Sequence, residues 1–233
     1  MSVARSHRVD AVLFDIDDTL IDYHSARRRG IVDYVASLGA EVDETVLAAE
    51  WLRLEDVYYD QFLAGELDWI GQRRVRLRAL LRWLELDEPA SDAETDAWFG
   101  ELWARCVRAI APFQDVELCL RTLTGTATGV VTNNVAHVAG HKLAAAGLGD
   151  RFPVVVGVTD AAASKPDPRI FLAGCAALGV APERTMYVGD RLDTDAVGAR
   201  DAGLIGVWLD RKSGDGRAEL PAGVIRIGSL GEL

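Results

Sequence analysis

The residues of this sequence that are best suited to chemistry lie where short apolar runs end. Asp15 follows the run VDAVLF, Thr132 follows TGVV and Asp190 follows TMYVG. Lys165 lies between the last two, in the segment SKPDP. Runs of this length are typical of buried parallel strands, whose carboxyl ends meet at one edge of a sheet, where ligands bind. We therefore expect these four residues to face one crevice.

Four aspartates in these segments would need a positive partner if the fold brings them together. They are Asp15, Asp17, Asp190 and Asp195. In a partly desolvated site their charges would repel one another by several kcal/mol. Carboxylate oxygens without a nearby histidine or cysteine favour Mg²⁺ over zinc or copper, and Mg²⁺ commonly keeps water and a substrate phosphate among its ligands. The set therefore predicts a phosphoryl-transfer site that uses Mg²⁺.

The strands that carry these residues belong to a longer series of apolar runs separated by helical stretches. PVVVGV from Pro153 and LIGVWL from Leu204 extend the series, and VIRI from Val224 is a candidate edge strand. Helices are expected between the runs, several of them followed by glycine, near residues 114–124, 135–146, 168–178 and 194–202. This alternation predicts an α/β fold with a doubly wound, Rossmann-like parallel sheet.

Residues 21–112 show a different pattern, in which apolar residues recur at helical spacing and strand-like runs are absent. The S-D-A-E segment from Ser91 has the form of a capping box at the start of a helix. We expect about four helices here, with five of the six tryptophans filling their core and the arginines of residues 73–82 on solvated faces. This helical insert would interrupt the α/β core, which is assembled from residues 1–20 and 113–233.

Four segments resemble, in order, the sequence motifs of the haloacid dehalogenase superfamily. They are F-D-I-D-D-T-L at 14–20, V-V-T-N-N at 130–134, S-K-P-D-P at 164–168 and V-G-D-R-L-D-T-D at 188–195. The resemblance covers the whole predicted core, and the helical insert is similar to the superfamily's cap domain of the first type. The similarity points to the small phosphatases of the superfamily, which include enzymes for nucleotides and sugar phosphates.

The resemblance implies a role for each matching residue. Asp15 would be the nucleophile that forms an aspartyl-phosphate, and Asp17 would protonate the leaving oxygen and then deprotonate the attacking water. The phosphoryl oxygens would be bound by a hydroxyl, an ammonium and backbone N–H groups, at Thr132, Lys165, Asp17, Asp18 and Asn133. Mg²⁺ would be held by Asp15, the Asp17 carbonyl, Asp190 and, directly or through water, Asp195. Asp18 stands where the superfamily usually has glycine, which bears on the shape of the turn.

The predicted activity is Mg²⁺-dependent hydrolysis of a small phosphorylated metabolite, such as a nucleotide or a sugar phosphate. A phosphosugar mutase would share all four motifs and differ in whether water or a substrate hydroxyl accepts the phosphoryl group. A metal-free haloacid dehalogenase is less favoured, because that branch has no acid where this chain has Asp17. A phosphonate hydrolase would need a cap lysine, and residues 21–112 contain none. A scaffold protein would have damaged motifs, and these motifs are intact.

Composition excludes several other classes of protein. The 233 residues include 36 acidic and 25 basic side chains and carry a net charge of −11, which disfavours binding to nucleic acid polymers. No apolar run approaches the roughly 20 residues of a membrane helix. Three scattered cysteines indicate neither a disulfide framework nor a zinc site. We expect a cytoplasmic enzyme without a membrane partner, and the sequence is compatible with a monomer or a homodimer.

Overall fold

The computed structural model describes residue 3, residues 9–211 and residues 220–233. Over these residues the chain divides into two compact units. The first contains the residues up to Tyr23 and those from Ala111 onward, and the second contains His24–Ile110. The first unit is a sheet with flanking helices, whereas the second consists of helices.

The sheet of the first unit has six strands, and every neighbouring pair is parallel. The strands are β1 (Ala11–Phe14), β2 (Ala127–Val131), β3 (Val154–Val156), β4 (Thr185–Gly189), β5 (Ile205–Leu209) and β6 (Ile225–Ile227). Their order is β3-β2-β1-β4-β5-β6, so the chain winds from the centre to one edge, returns and winds to the other. Phe14 of β1 is in register with Val130 of β2 and Val188 of β4. The predicted doubly wound parallel sheet is confirmed.

Nine α-helices lie in the described residues. They are α1 (Tyr23–Ser37), α2 (Glu44–Leu63), α3 (Trp69–Trp83), α4 (Asp92–Arg108), α5 (Val116–Thr122), α6 (Ala136–Ala145), α7 (Val158–Ala161), α8 (Pro168–Leu178) and α9 (Gly198–Asp201). The first four form the second unit, which we call the helical unit, and α5, α6 and α8 lie where helices are expected. The helix expected near 194–202 differs, because it begins as a π-helical segment, Leu192–Val197, and continues as α9. Across the described ranges, none of the helices has the length of apolar sequence that crossing a bilayer requires.

Polar residues determine where helices of the helical unit begin. The Asp43 carboxylate accepts hydrogen bonds from two backbone N–H groups at the start of α2. Ser91 accepts from the Glu94 N–H at 3.2 Å at the start of α4, as its S-D-A-E segment predicts. The Glu94 carboxylate accepts from the Ala90 N–H, one residue before the position that a capping box would use. These bonds satisfy N–H groups that the start of a helix leaves without a partner.

The core of the helical unit differs from the expectation in its tryptophans and in one arginine. Trp51 is buried, but Trp83 is 37% exposed and the other three tryptophans of the unit are only partly buried. Arg76 is 6% exposed, and its guanidinium lies 4.7 Å from the centre of the Trp51 ring and 3.0 Å from Glu55. The aromatic face and the carboxylate replace the water that this charge loses. The expectation that the whole arginine cluster is solvated is therefore wrong for Arg76.

Gly30 lets α1 pack closely on α4. A Cβ atom at Gly30 would lie 2.6 Å from the backbone nitrogen of Cys106. We predict that Gly30→Ala lowers the free energy of unfolding by about 1–3 kcal/mol, because the two helices must move apart. Gly100→Ala on α4 is the matched control. A Cβ there meets nothing within 4 Å, so this change should raise stability by up to about 1 kcal/mol. Urea unfolding measures both effects, and equal stability of the two variants would contradict the packing.

Candidate active site

Asp15 directly follows the central strand β1, and the turn beyond it is fixed by backbone hydrogen bonds. The Asp15 N–H donates to the Val188 carbonyl at 2.9 Å, and the Ile16 carbonyl accepts from the Ile21 N–H at 3.1 Å. Asp18 has a φ of 59°, in the left-handed region that glycine adopts most easily and that aspartate tolerates. The aspartate that replaces the motif's usual glycine therefore takes a conformation that glycine favours.

Lys165 places its ammonium between two carboxylates in the interior. Its Nζ donates to Asp15 Oδ1 at 2.6 Å and to Asp195 Oδ1 at 2.7 Å, and it lies 2.9 Å from the Tyr187 hydroxyl. That hydroxyl donates to the Val131 carbonyl at 2.9 Å, so its oxygen can accept from Lys165. Lys165 is only 6% exposed. One buried positive charge thus joins carboxylates that come from distant parts of the chain.

The residues after β2 shape the loop beside Lys165. The Asn133 side chain accepts from the Lys165 N–H at 2.6 Å and donates to the Lys165 carbonyl at 3.1 Å. Thr132 is buried, and its hydroxyl oxygen accepts from the Asn134 N–H at 3.2 Å. Sequence reasoning gives Asn133 a phosphate contact through its backbone. The structure adds a second use, because its side chain holds the backbone of Lys165.

Three of the four predicted aspartates meet beside Lys165. One oxygen each of Asp15, Asp190 and Asp195 lies within 4.8 Å of the other two. Asp15 and Asp195 are buried, and Asp190 is half-buried. The cluster consists of carboxylates, which are the hard oxygen donors that Mg²⁺ prefers. The donor set therefore fits a magnesium ion.

The segment after β4 explains why Asp190 and Asp195 lie together. The Asp195 carboxylate turns back within the π-helical segment to accept from the Arg191 N–H at 3.0 Å. A Cβ atom at Gly189 would lie 2.6 Å from the Asp195 Cβ, so glycine leaves the room that this arrangement needs. Trp208 on β5 donates from its ring nitrogen to the Asp190 carbonyl at 2.9 Å. Irregular helical turns of this kind are frequent at functional sites.

Burial and mutual repulsion raise the pKa values of two carboxylates in this cluster. Burial raises the pKa of Asp15 to about 7 against the opposing charge of Lys165, and the charges of Asp195 and Asp17 add to the rise. Burial, followed by the charges of Asp15 and Asp195, raises the pKa of Asp190 to about 8. Burial alone would lower the pKa of Lys165, but its carboxylate partners hold that pKa well above its ordinary value. A divalent cation would relieve the negative charge that Lys165 leaves uncompensated.

The fourth aspartate, Asp17, has separate partners. Lys142 donates to its two carboxylate oxygens at 2.8 and 2.7 Å, and the Asn134 amide donates to Oδ2 at 2.9 Å. Sequence reasoning misses Lys142 and Tyr187 and gives Asn134 no role of its own. A signal for Lys142 exists, because it lies on α6 four residues after the buried Val138, where an apolar side chain is expected. For Tyr187 the signal is a hydroxyl within a buried strand, since such a group needs a partner.

Asp190→Asn replaces the ionisable carboxyl with a neutral amide of nearly the same size. At pH 7 and without divalent cations, we predict that it raises the free energy of unfolding by on the order of 1–3 kcal/mol, because the raised pKa of Asp190 means that folding must either bury its charge or take up a proton, and asparagine requires neither. The variant should also lose the stabilisation that Mg²⁺ gives the unmodified protein. Thermal unfolding with and without MgCl₂ measures both effects. Asp193→Asn, outside the cluster, is the control, and an undiminished response of Asp190→Asn to Mg²⁺ would contradict the assignment.

The chain is similar to known proteins over most of its length. The family described as haloacid dehalogenase-like hydrolase matches residues 9–203. A phosphoserine phosphatase of Thermus thermophilus is 30% identical to this chain, over 95% of this chain and 96% of its own length. A glyceraldehyde 3-phosphate phosphatase of Methanopyrus kandleri is 33% identical, over 87% of this chain and 84% of its own length.

The solved structures that resemble this one share its fold. The L-2-haloacid dehalogenase from Xanthobacter autotrophicus superposes with a TM-score of 0.74 at 20% identity, over 96% of each chain. At 20% identity this structural similarity shows a shared fold only. Membership of a family is shown instead by the family match and by the phosphatase relatives. The resemblance that the four motifs indicate is confirmed, and the chain belongs to the haloacid dehalogenase superfamily, in its phosphatase branch.

Proposed function

We propose that this protein is a Mg²⁺-dependent phosphatase that acts on a small phosphorylated metabolite through an aspartyl-phosphate at Asp15. The observation that carries the proposal is the position of Asp15, at the end of the central strand, 2.6 Å from Lys165 and beside two further carboxylates. Relatives named for activity on phosphoserine, glyceraldehyde 3-phosphate and N-acetylmuramic acid 6-phosphate support it. These compounds are phosphate monoesters of small molecules, the class to which a sugar phosphate or a nucleotide also belongs.

The first half-reaction would transfer the phosphoryl group to Asp15. An oxygen of the Asp15 carboxylate bonds to phosphorus while the ester P–O bond breaks, and the leaving oxygen takes a proton from Asp17. Lys165 places a compact positive charge at Asp15, where a carboxylate and a phosphate dianion approach each other. This charge lowers the repulsion between nucleophile and substrate.

The second half-reaction would release inorganic phosphate. Water bonds to phosphorus, its proton passes to Asp17, and the bond between phosphorus and Asp15 breaks to restore the carboxylate. Thr132 and the N–H groups of the turn after β1 would bind the phosphoryl oxygens during both steps. Mg²⁺, held by Asp15, Asp190, Asp195 and the Asp17 carbonyl, would supply positive charge that offsets the charge of these oxygens.

We also propose that the helical unit is a cap that selects the substrate. The sequence predicts this cap over residues 21–112, and the helical unit spans His24–Ile110, inserted directly after the turn that follows β1. It contains a cavity of about 260 Å³, whose lining combines basic side chains such as Arg28 with apolar ones such as Trp51. Such a lining can hold the organic part of an anionic substrate.

Two other reactions of the superfamily would use this site differently. A phosphosugar mutase would pass the phosphoryl group from Asp15 to a substrate hydroxyl and would retain a bisphosphate. A dehalogenase would release halide, which leaves without a proton, so an Asp17 carboxylate oriented by Lys142 and Asn134 would have no task. Asp17 and its partners therefore favour the phosphatase.

The purified protein should hydrolyse p-nitrophenyl phosphate in the presence of Mg²⁺ and lose this activity in excess EDTA. Asp15→Asn should reduce turnover to background, because an amide cannot form the acyl phosphate, and its melting temperature should show that the fold is kept. Parallel assays with phosphorylated metabolites and with L-2-chloropropionate separate a phosphatase from a dehalogenase. Full activity in EDTA would overturn the Mg²⁺ assignment, and normal turnover of Asp15→Asn would overturn the nucleophile.

Asp17→Asn should slow the hydrolysis of an alkyl phosphate by on the order of 10²-fold or more, because the leaving alkoxide and the attacking water both lose their proton-transfer partner. The measurement is kcat with saturating substrate and Mg²⁺. Asp193→Asn serves as the control for a lost surface charge and should keep normal turnover. A rate of Asp17→Asn equal to that of the unmodified protein would show that another group transfers the proton.

A further inference from the structure

Lys142 is a buried lysine whose ammonium is directed at Asp17. Its side chain is 2% exposed, and its Nζ lies 2.8 and 2.7 Å from the two oxygens of the Asp17 carboxylate. The Asp17 side chain itself is 25% exposed. The carboxylate is therefore anchored by Lys142 while part of it stays accessible to a reactant.

The surroundings of Lys142 show that packing does not account for its charge. On α6 the side chains of Val138 and Leu143 are buried with it, and the centre of the Tyr23 ring lies 3.4 Å from its Nζ. Placing an ammonium in such an interior costs several kcal/mol unless a partner compensates it. Leucine or methionine would fill this space without that cost. The Asp17 carboxylate, 2.7 Å away, is a partner that compensates this charge.

A second group completes the anchoring of Asp17. The Asn134 amide donates to Asp17 Oδ2 at 2.9 Å, and the Asn134 N–H is itself bonded to the Thr132 hydroxyl oxygen. Lys142 and Asn134 both belong to the stretch that runs from β2 through α6. This stretch therefore supplies three hydrogen bonds that define the orientation of a carboxylate on a distant turn.

We infer that Lys142 is a positioning residue, which together with Asn134 holds the Asp17 carboxylate as an oriented proton acceptor for the water that hydrolyses the aspartyl-phosphate. The inference rests on the proposed function. In this step the water oxygen bonds to phosphorus, the bond from phosphorus to Asp15 breaks, and the water proton passes to Asp17. Proton transfer requires heavy atoms within hydrogen-bond reach, and an unanchored carboxylate spends only part of its time there.

The two half-reactions depend on this anchoring to different degrees. When p-nitrophenyl phosphate is the substrate, the phenolate leaves without a proton, so formation of the aspartyl-phosphate does not require Asp17. Hydrolysis of the aspartyl-phosphate does require it. Loss of the anchor should therefore allow the phosphorylated protein to accumulate, which a general loss of stability would not cause.

The test compares Lys142→Met with the unmodified protein in rapid mixing and acid-quench experiments with Mg²⁺ and p-nitrophenyl phosphate. We expect a burst of about one phenolate per active site, the accumulation of phosphorylated protein and a later rate on the order of 10–100-fold below normal. Lys142→Arg keeps a charged donor and should recover part of the rate. The double variant Lys142→Met/Asp17→Asn should be no slower than Asp17→Asn alone, because Lys142 acts through Asp17.

The control is His141→Gln, an exposed neighbour on α6, which should show normal kinetics. Asn134→Ser removes one hydrogen bond to Asp17 and should give a smaller burst, which keeps the test available if Lys142→Met does not fold. Folded Lys142→Met with normal turnover and no burst, or losses that add in the double variant, would overturn the inference.

Failure of the proposed function has a different signature. If the unmodified protein hydrolyses no phosphate ester, that proposal fails, and crystal structures of the unmodified protein and of Lys142→Met then decide the positioning role alone. Displacement of the Asp17 carboxylate in the variant would support that role. An unchanged Asp17 side chain would overturn it.

Discussion

The site depends on the fold holding acidic side chains close together at the carboxyl ends of two neighbouring strands, where their negative charges repel one another. β1 and β4 are adjacent and parallel, with Phe14 paired to Val188, so Asp15 and Asp190 both leave the sheet at the same edge although they are far apart in sequence. Asp195 turns back into the same space, and Lys165 compensates only part of the combined charge. Without a cation, such a cluster lowers the stability of the fold, and proteins commonly tolerate this cost at functional sites. A divalent cation held by these carboxylates would relieve that cost.

Each of the two lysines among the described residues pairs with a different aspartate of the site. Lys165 bonds the carboxylate assigned as nucleophile, and Lys142 bonds the carboxylate assigned to proton transfer. Both ammonium groups are almost completely buried. An ammonium is a compact point charge on an unbranched stem, whereas a guanidinium is a wide planar fork. In a chain whose cationic side chains are mostly arginine, the compact ammonium suits these two buried positions beside carboxylates.

Features that follow from local pattern could be predicted from the sequence. Asp15 and Asp190 were predictable because each ends an apolar run, and strand ends of a parallel sheet share one edge. The burial of Arg76 was not, because it depends on which helix face meets which partner. For Lys142 the helical spacing indicates a buried position, but it does not indicate the carboxylate that the ammonium meets. The π-helical segment before α9 was not predictable either, because periodicity does not indicate a bond such as the one that the Asp195 carboxylate accepts there from the Arg191 N–H.

The turn that carries Asp17 is held in place by the unit to which it belongs. The two chain connections of the helical unit pair with each other there, through the Asp22 N–H to the Ala111 carbonyl at 3.1 Å. Arg211 donates to the Thr19 carbonyl at 2.8 Å and bonds the Asp115 carboxylate, which holds the pKa of Asp115 below its usual value despite burial. These hydrogen bonds connect residues that all belong to the first unit. If the helical unit is the proposed cap, its sequence can therefore vary to suit different substrates without changing the residues that make these bonds.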